Sequence, residues 1–256
     1  MKILSYELTP ETEALVSSLT ASLSRKVTFL ESDALPEQAR NVFGYINTVT
    51  ADETYQVSLS TLLSRAAFEC TLLHQLRHLV QIEENYPNLF LKDCHETVAP
   101  DPTLVEGRGA HIAAAILDLD VNTWLHSVGR WEGSYARANL DAALASSGQS
   151  FTGFKLPLLF ASFAVSILNV SLQGSDEDAA RVFEAYAAYP DVVAAARTMR
   201  EKLLSRDVCS ADGAIWGMGL VLDTLDLWKY FYVAAPDGKK LRTHGEFLAL
   251  DGAASD

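Results

Sequence analysis

Two histidines, His74 and His78, stand four residues apart in the stretch AAFECTLLHQLRHLVQIE, residues 66–83. The stretch is rich in helix formers and holds neither proline nor glycine, so it reads as one helix. Four residues advance about 400° around a helix, which leaves the imidazoles about 40° apart on one face, one turn above the other. Two neutral imidazoles placed in this way are suited to hold one metal ion. The rest of the chain can be read as what builds, completes or covers that helix.

The segment follows the pattern H-E-x-x-H, with Gln75 where the glutamate would stand. Some thirty residues further on, Glu106 lies in LVEGRGAH, at the opening of another helical run. HQLRH followed by a helix that opens V-E-G-x-x-A resembles the zincin metallopeptidases of the gluzincin type, over roughly residues 40–125. The resemblance implies that His74, His78 and Glu106 bind zinc. It also implies an α+β fold: a small sheet and the motif helix, then a mainly helical carboxy-terminal half. The implied substrate is a peptide or protein. In that chemistry two imidazoles and a carboxylate leave a fourth position on zinc for water. The metal lowers the water's pKa and polarises the scissile carbonyl. A glutamate beside the first histidine takes the proton and passes it to the leaving amine.

Gln75 cannot act as that base, because a carboxamide has no useful basicity near neutral pH, although it can hydrogen-bond a water. The chain as it stands is therefore expected to bind metal with little or no hydrolysis. Two readings stay open: a pseudo-enzyme kept as a non-catalytic protein-binding module, or an inactivated Glu→Gln variant of a working peptidase. Asp118 and Asp120, in AAILDLDVN, rival Glu106 as third ligand. Asp118 lies twelve residues after Glu106, so one continuous helix would not let both serve one ion.

Other polar residues are read more plainly. His111, His126 and Tyr135 are possible oxyanion donors, but a satisfied helix histidine and a core tyrosine are the favoured readings. His95, beside Cys94, reads as loop surface. Trp216, Trp228, Tyr230, Phe231 and Tyr232 read as packing.

The elements that position the motif helix are legible around it. Residues 2–8 read as a short strand. Thr9-Pro10 opens a helix running to about Ser24, with Thr9 as its N-cap. Residues 26–31 alternate as a strand, 34–41 suggest a short helix, and 43–49 with 55–59 suggest a hairpin. On the motif helix, Phe68, Leu72, Leu76 and Leu79 form an apolar stripe suited to a sheet. His74 and His78 fall on another face, with Ala67, Cys70 and Gln81. Residues 86–104 read as a loop or flap. A buried helix follows from about Leu104 and ends near Gly129. From Trp131 onward the pattern is helical, at 135–145, 155–172, 176–188, 191–205 and 211–233. Pro236-Asp237-Gly238 marks a hairpin turn within 232–247. A soft boundary near Gly129–Gly133 gives two parts, a zincin-like metal-binding subdomain at 1–130 and a helical subdomain at 131–256.

Bulk properties narrow the function classes. The 256 residues are 49% hydrophobic and carry a net charge of −13, so a real core is available and polyphosphate partners are repelled. Nucleic-acid and membrane partners are not expected. Three scattered cysteines make no disulfide framework and no C-x-x-C. The opening MKILSYELTPE lacks a signal-peptide pattern, and the apolar run LPLLFASFAVSILNV is short for a membrane span. The expectation is a cytoplasmic protein. Phosphate-loop, dinucleotide and serine-hydrolase motifs are missing.

Overall fold

The structure is a computed structural model. It describes the backbone of residues 1–31, 44–47, 54–92, 102–148 and 157–252, and their side chains except at 44–47, 102–106, 108, 135, 157–158 and 251. Helices dominate and the sheets are small, so the fold is α+β with a helical carboxy-terminal half. The chain forms two compact units. The first comprises Met1–Glu84 and Val121–Ala138, and the second Asn85–Asp120 and Asn139–Asp256. The division is therefore not the single cut near residue 130 that composition indicates. One long helix leaves the second unit and contributes its last turns to the first.

In the first unit, β1 (Lys2–Ile3) and β2 (Tyr6–Glu7) pair as a tight antiparallel turn ahead of α1 (Pro10–Ala21). Thr9 caps α1 through its side chain and Pro10 occupies the first turn, as the sequence indicates. Helix α1 stops three residues short of Ser24. A three-stranded sheet follows, in the order β3-β5-β4, from β3 (Val27–Glu31), β4 (Gly44–Asn47) and β5 (Tyr55–Leu59). β4 and β5 are the antiparallel pair expected, while β3 runs parallel to β5, with Val27 opposite Tyr55. The helix expected at 34–41 lies outside the described residues.

The motif helix is α2 (Arg65–Glu83), capped by the Ser64 side chain. Phe68, Leu72, Leu76 and Leu79 are fully buried in one cluster with Val57 and Leu59 of β5. This is the apolar stripe read from the sequence. The helix is also tied at both ends. Near its start, Glu69 accepts hydrogen bonds from Thr9 N (2.7 Å), Thr9 Oγ1 (2.8 Å), Thr12 Oγ1 (2.6 Å) and Arg65 Nε (3.2 Å). At its end, Glu83 accepts from Ser24 Oγ at 2.6 Å and from the Tyr55 hydroxyl at 2.7 Å. Tyr6 stacks on Phe68, and its hydroxyl reaches the Thr61 and Leu63 carbonyl oxygens ahead of the helix.

Helix α3 (Pro102–Ser127) is unbroken over 26 residues. It ends on Gly129, whose φ of +66° is open to glycine without strain, and Arg130 N donates back to the Leu125 carbonyl. Val121 and Leu125 lie in the same buried cluster as the α2 stripe.

In the second unit, the stretch expected as a loop contains β6 (Asn88–Leu91). It pairs antiparallel with β7 (Phe231–Ala234), which pairs with β8 (Lys240–Leu241). Leu89 of β6 packs against the core cluster while Phe90 is exposed. With only four residues, the alternation was too short to read without the partner strand. Helices α4 (Ser134–Ser146), α5 (Pro157–Gln173), α6 (Asp176–Ala185), α7 (Pro190–Leu204), α8 (Ala211–Thr224) and α9 (His244–Gly252) complete the chain. Helix α8 ends well before residue 233. Asp226 takes a left-handed φ of +53°, Leu227 N donates to the Leu222 carbonyl, and the chain turns into β7. An aspartate in that role is less visible in a sequence than a glycine. Trp216, Trp228 and Phe231 are buried in the core of this unit, so the aromatic group is packing. Among the described residues, no helix is long and apolar enough to cross a membrane.

Candidate metal centre

Helical spacing brings the two imidazoles of α2 together, as the sequence requires. His74 Nε2 and His78 Nε2 are 3.0 Å apart, with the rings edge to face at 4.7 Å between centroids. On the other side of His78, Nδ1 lies 2.8 Å from Oε1 of Gln81, which is almost fully buried. An amide oxygen only accepts, so His78 Nδ1 carries the hydrogen and Nε2 keeps its lone pair. Gln81 thereby fixes the tautomer and turns the lone pair of His78 Nε2 toward His74, the arrangement typical of a metal-bound imidazole.

Asp118 of α3 completes the group. One ligand atom from each of His74, His78 and Asp118 lies within 4.8 Å of the others. Both histidines are half-buried and Asp118 is buried. Its position follows from packing. Asp118 precedes Val121 by three residues, less than one turn of the same helix. Val121 and Leu125 are in turn packed in the core that holds the α2 stripe. Within the first unit, Gly129, Arg130, Trp131 and Glu132, which follow α3, share a cleft of about 360 Å³ with Glu69 and Cys70 of α2.

The donor set fits a divalent metal. Two nitrogens about 2.05 Å from one ion at the tetrahedral angle lie roughly 3.3 Å apart, close to the separation seen between the imidazoles. The same 3.0 Å separation also carries a hydrogen bond in which His74 Nε2–H donates to His78 Nε2, and an ion would take the place of that proton. Two imidazoles and one carboxylate suit zinc, and also iron or manganese when open positions are kept.

Glu106 lies in α3, but its side chain is outside the described residues. Because α3 is continuous, Glu106 stands about 18 Å along the axis from Asp118, so the two do not share an ion. Asp120 is buried two residues beyond Asp118, about 200° around the helix, and is not in the group. Gln75 follows His74 directly and is half-buried. His111 lies 3.4 Å from Ser166 Oγ in the second unit. His126 is exposed and stacks on Trp131. The Tyr135 side chain, Cys94 and His95 lie outside the described residues. Burial pushes the Cys70 thiol up, against a hydrogen bond from the Glu132 backbone, so Cys70 remains a neutral thiol.

Two residues of the neighbourhood were not singled out by sequence reasoning. Gln81 was placed only on the histidine face, although its spacing of three from His78 marks it as a neighbour. Glu69 gave no signal at all. Comparison with protein-family models, with curated proteins and with solved structures finds no match.

Proposed function

We propose that this chain is a zinc-binding protein on a metallopeptidase-like scaffold, with His74, His78 and Asp118 as the ligands. The observation that carries the reading is that one ligand atom from each of two imidazoles and a buried carboxylate lie within 4.8 Å of one another, with Gln81 orienting one ring. When bound, the metal would supply Lewis acidity and an activated water. The chain's own residues hold the site: Gln81 sets the His78 tautomer, and Val121 and Leu125 of α3 are buried in the same cluster as the α2 stripe. Gln75 stands where a peptidase of this pattern has its base, and it offers hydrogen bonds without basicity. In this form the scaffold binds a peptide or protein and does not cleave it.

Metal analysis of the purified chain after zinc loading and removal of excess tests the reading. One ion per chain is expected, lost in both His74→Ala and Asp118→Asn. A wild-type chain that retains none overturns it. The Gln75→Glu variant, assayed on a peptide library, separates the two functional forms. Cleavage that requires zinc identifies a disabled peptidase, and silence with zinc still bound identifies a binding module.

A further inference from the structure

The cleft at the start of α2 lies wholly within the first unit. Its volume of about 360 Å³ is in the range of sites that take a small molecule. Trp131 and Cys70 give it apolar wall, Arg65 and Arg130 bring positive charge, and Glu69 and Glu132 bring negative charge. How those charges are already used decides what the cleft can still bind. Glu69 has its acceptor positions filled: Oε1 takes Thr9 N and Arg65 Nε, and Oε2 takes the hydroxyls of Thr9 and Thr12. Oε2 of Glu132 accepts from Ser134 N at 3.0 Å and from Ser134 Oγ. The donors are less spent. Arg65 gives Glu69 only its Nε, at 3.2 Å, and among the described residues its two terminal NH2 groups have no partner. Arg130 has one loose ion pair, with Nη2 3.5 Å from Oε2 of exposed Glu11. A guanidinium carries five N–H donors in a fork that matches a carboxylate. Trp131 is steadied by His126, which stacks on it at 4.9 Å between ring centroids.

We infer that this cleft binds a small aromatic carboxylate, whose charged end takes the open N–H groups of Arg65 and Arg130 and whose ring lies against Trp131. The carboxylates of the cleft are engaged and its guanidiniums are not, which sets the sign of the ligand. The apolar wall sets its other end. The site is separate from the metal centre and does not depend on the ligand assignment proposed above.

Benzoate titrated into the full chain tests the inference. Chelator is kept in excess, so that no carboxylate binds through a metal. The reporter is the Trp131 indole N–H resonance in the proton–nitrogen spectrum, identified as the one absent from Trp131→Phe. It is expected to move saturably with benzoate and not with benzyl alcohol, which has the same ring and no charge. Arg130→Met is expected to weaken benzoate about tenfold, the worth of one charge-assisted hydrogen bond. A Trp131 resonance that benzoate does not move, benzyl alcohol binding as tightly as benzoate, or unchanged benzoate affinity in folded Arg130→Met overturns the inference. Should Arg130→Met fail to fold, the comparison of the two probes on the wild-type chain decides.

Discussion

Helix α2 carries two buried polar sites five residues apart, and they differ in kind. Around Glu69, donors converge on one carboxylate: a backbone N–H, two hydroxyls and a guanidinium. Burial alone would raise its pKa, but the hydrogen bonds from Thr12, from Thr9 and from Arg65 outweigh that and hold it below the ordinary value of 4.5. Around His74 and His78, one ligand atom from each imidazole and one from buried Asp118 lie within 4.8 Å of one another, a donor set that suits a metal ion. A buried acid surrounded by donors fastens one element to another. A buried acid that meets imidazoles offers a donor set for a metal ion. The contrast makes Glu69 a clasp between α1 and α2, and Asp118 the proposed third ligand.

The largest effect expected from breaking this contrast is on metal binding. His78→Ala should weaken zinc by more than about 100-fold, beyond what loss of an outer partner costs, and leave the melting temperature of the chelated protein nearly unchanged. Titration against a chelator, together with melting in excess chelator, checks both parts. A variant that keeps wild-type affinity would make the histidine pair an ordinary hydrogen bond.

Glu69→Gln should do the reverse, sparing zinc affinity in the folded protein and costing about 2–3 kcal/mol of stability, because an amide sets its own donors against those of Thr9 and Thr12. The pH dependence has a definite sign. A carboxylate with a depressed folded pKa stabilises the fold above its unfolded value and loses that contribution as pH falls through the folded one. The stability gap between wild type and Glu69→Gln, measured by urea unfolding, should therefore be full at neutral pH and narrow below about pH 4. A gap that does not change with pH would mean that the clasp works by shape alone.

The smallest effect sharpens the metal side. Gln81→Leu should lower zinc affinity about tenfold, since the tautomer of His78 is no longer fixed. Binding that is unaffected would show that the ring is oriented by other contacts.

Local patterns were legible where the determining residues are close in sequence. The Thr9-Pro10 helix start, the β4–β5 pair, the α2 stripe and the Gly129 stop each depend on neighbours within about one or two helical turns or one hairpin. Elements defined by a distant partner were not. Strand β6 exists because β7 lies beside it, more than 130 residues later, and the clasp at Glu69 depends on Thr9 and Thr12 nearly 60 residues earlier. The end of α8 was missed because an aspartate, not a glycine, takes the left-handed position.

For the candidate site, the sequence by itself determined that His74 and His78 share a helix face, since 3.6 residues per turn leaves no other arrangement. It also determined that Gln75 is no base, which is a property of the side chain alone. Only the tertiary structure brought Asp118 to the pair. Candidates on α3 differ by which turn of the helix lies near the histidines, and side chains from distant parts of the chain meet around Val121 and Leu125, just beyond Asp118. Helical periodicity sets direction within an element, and packing sets which elements meet.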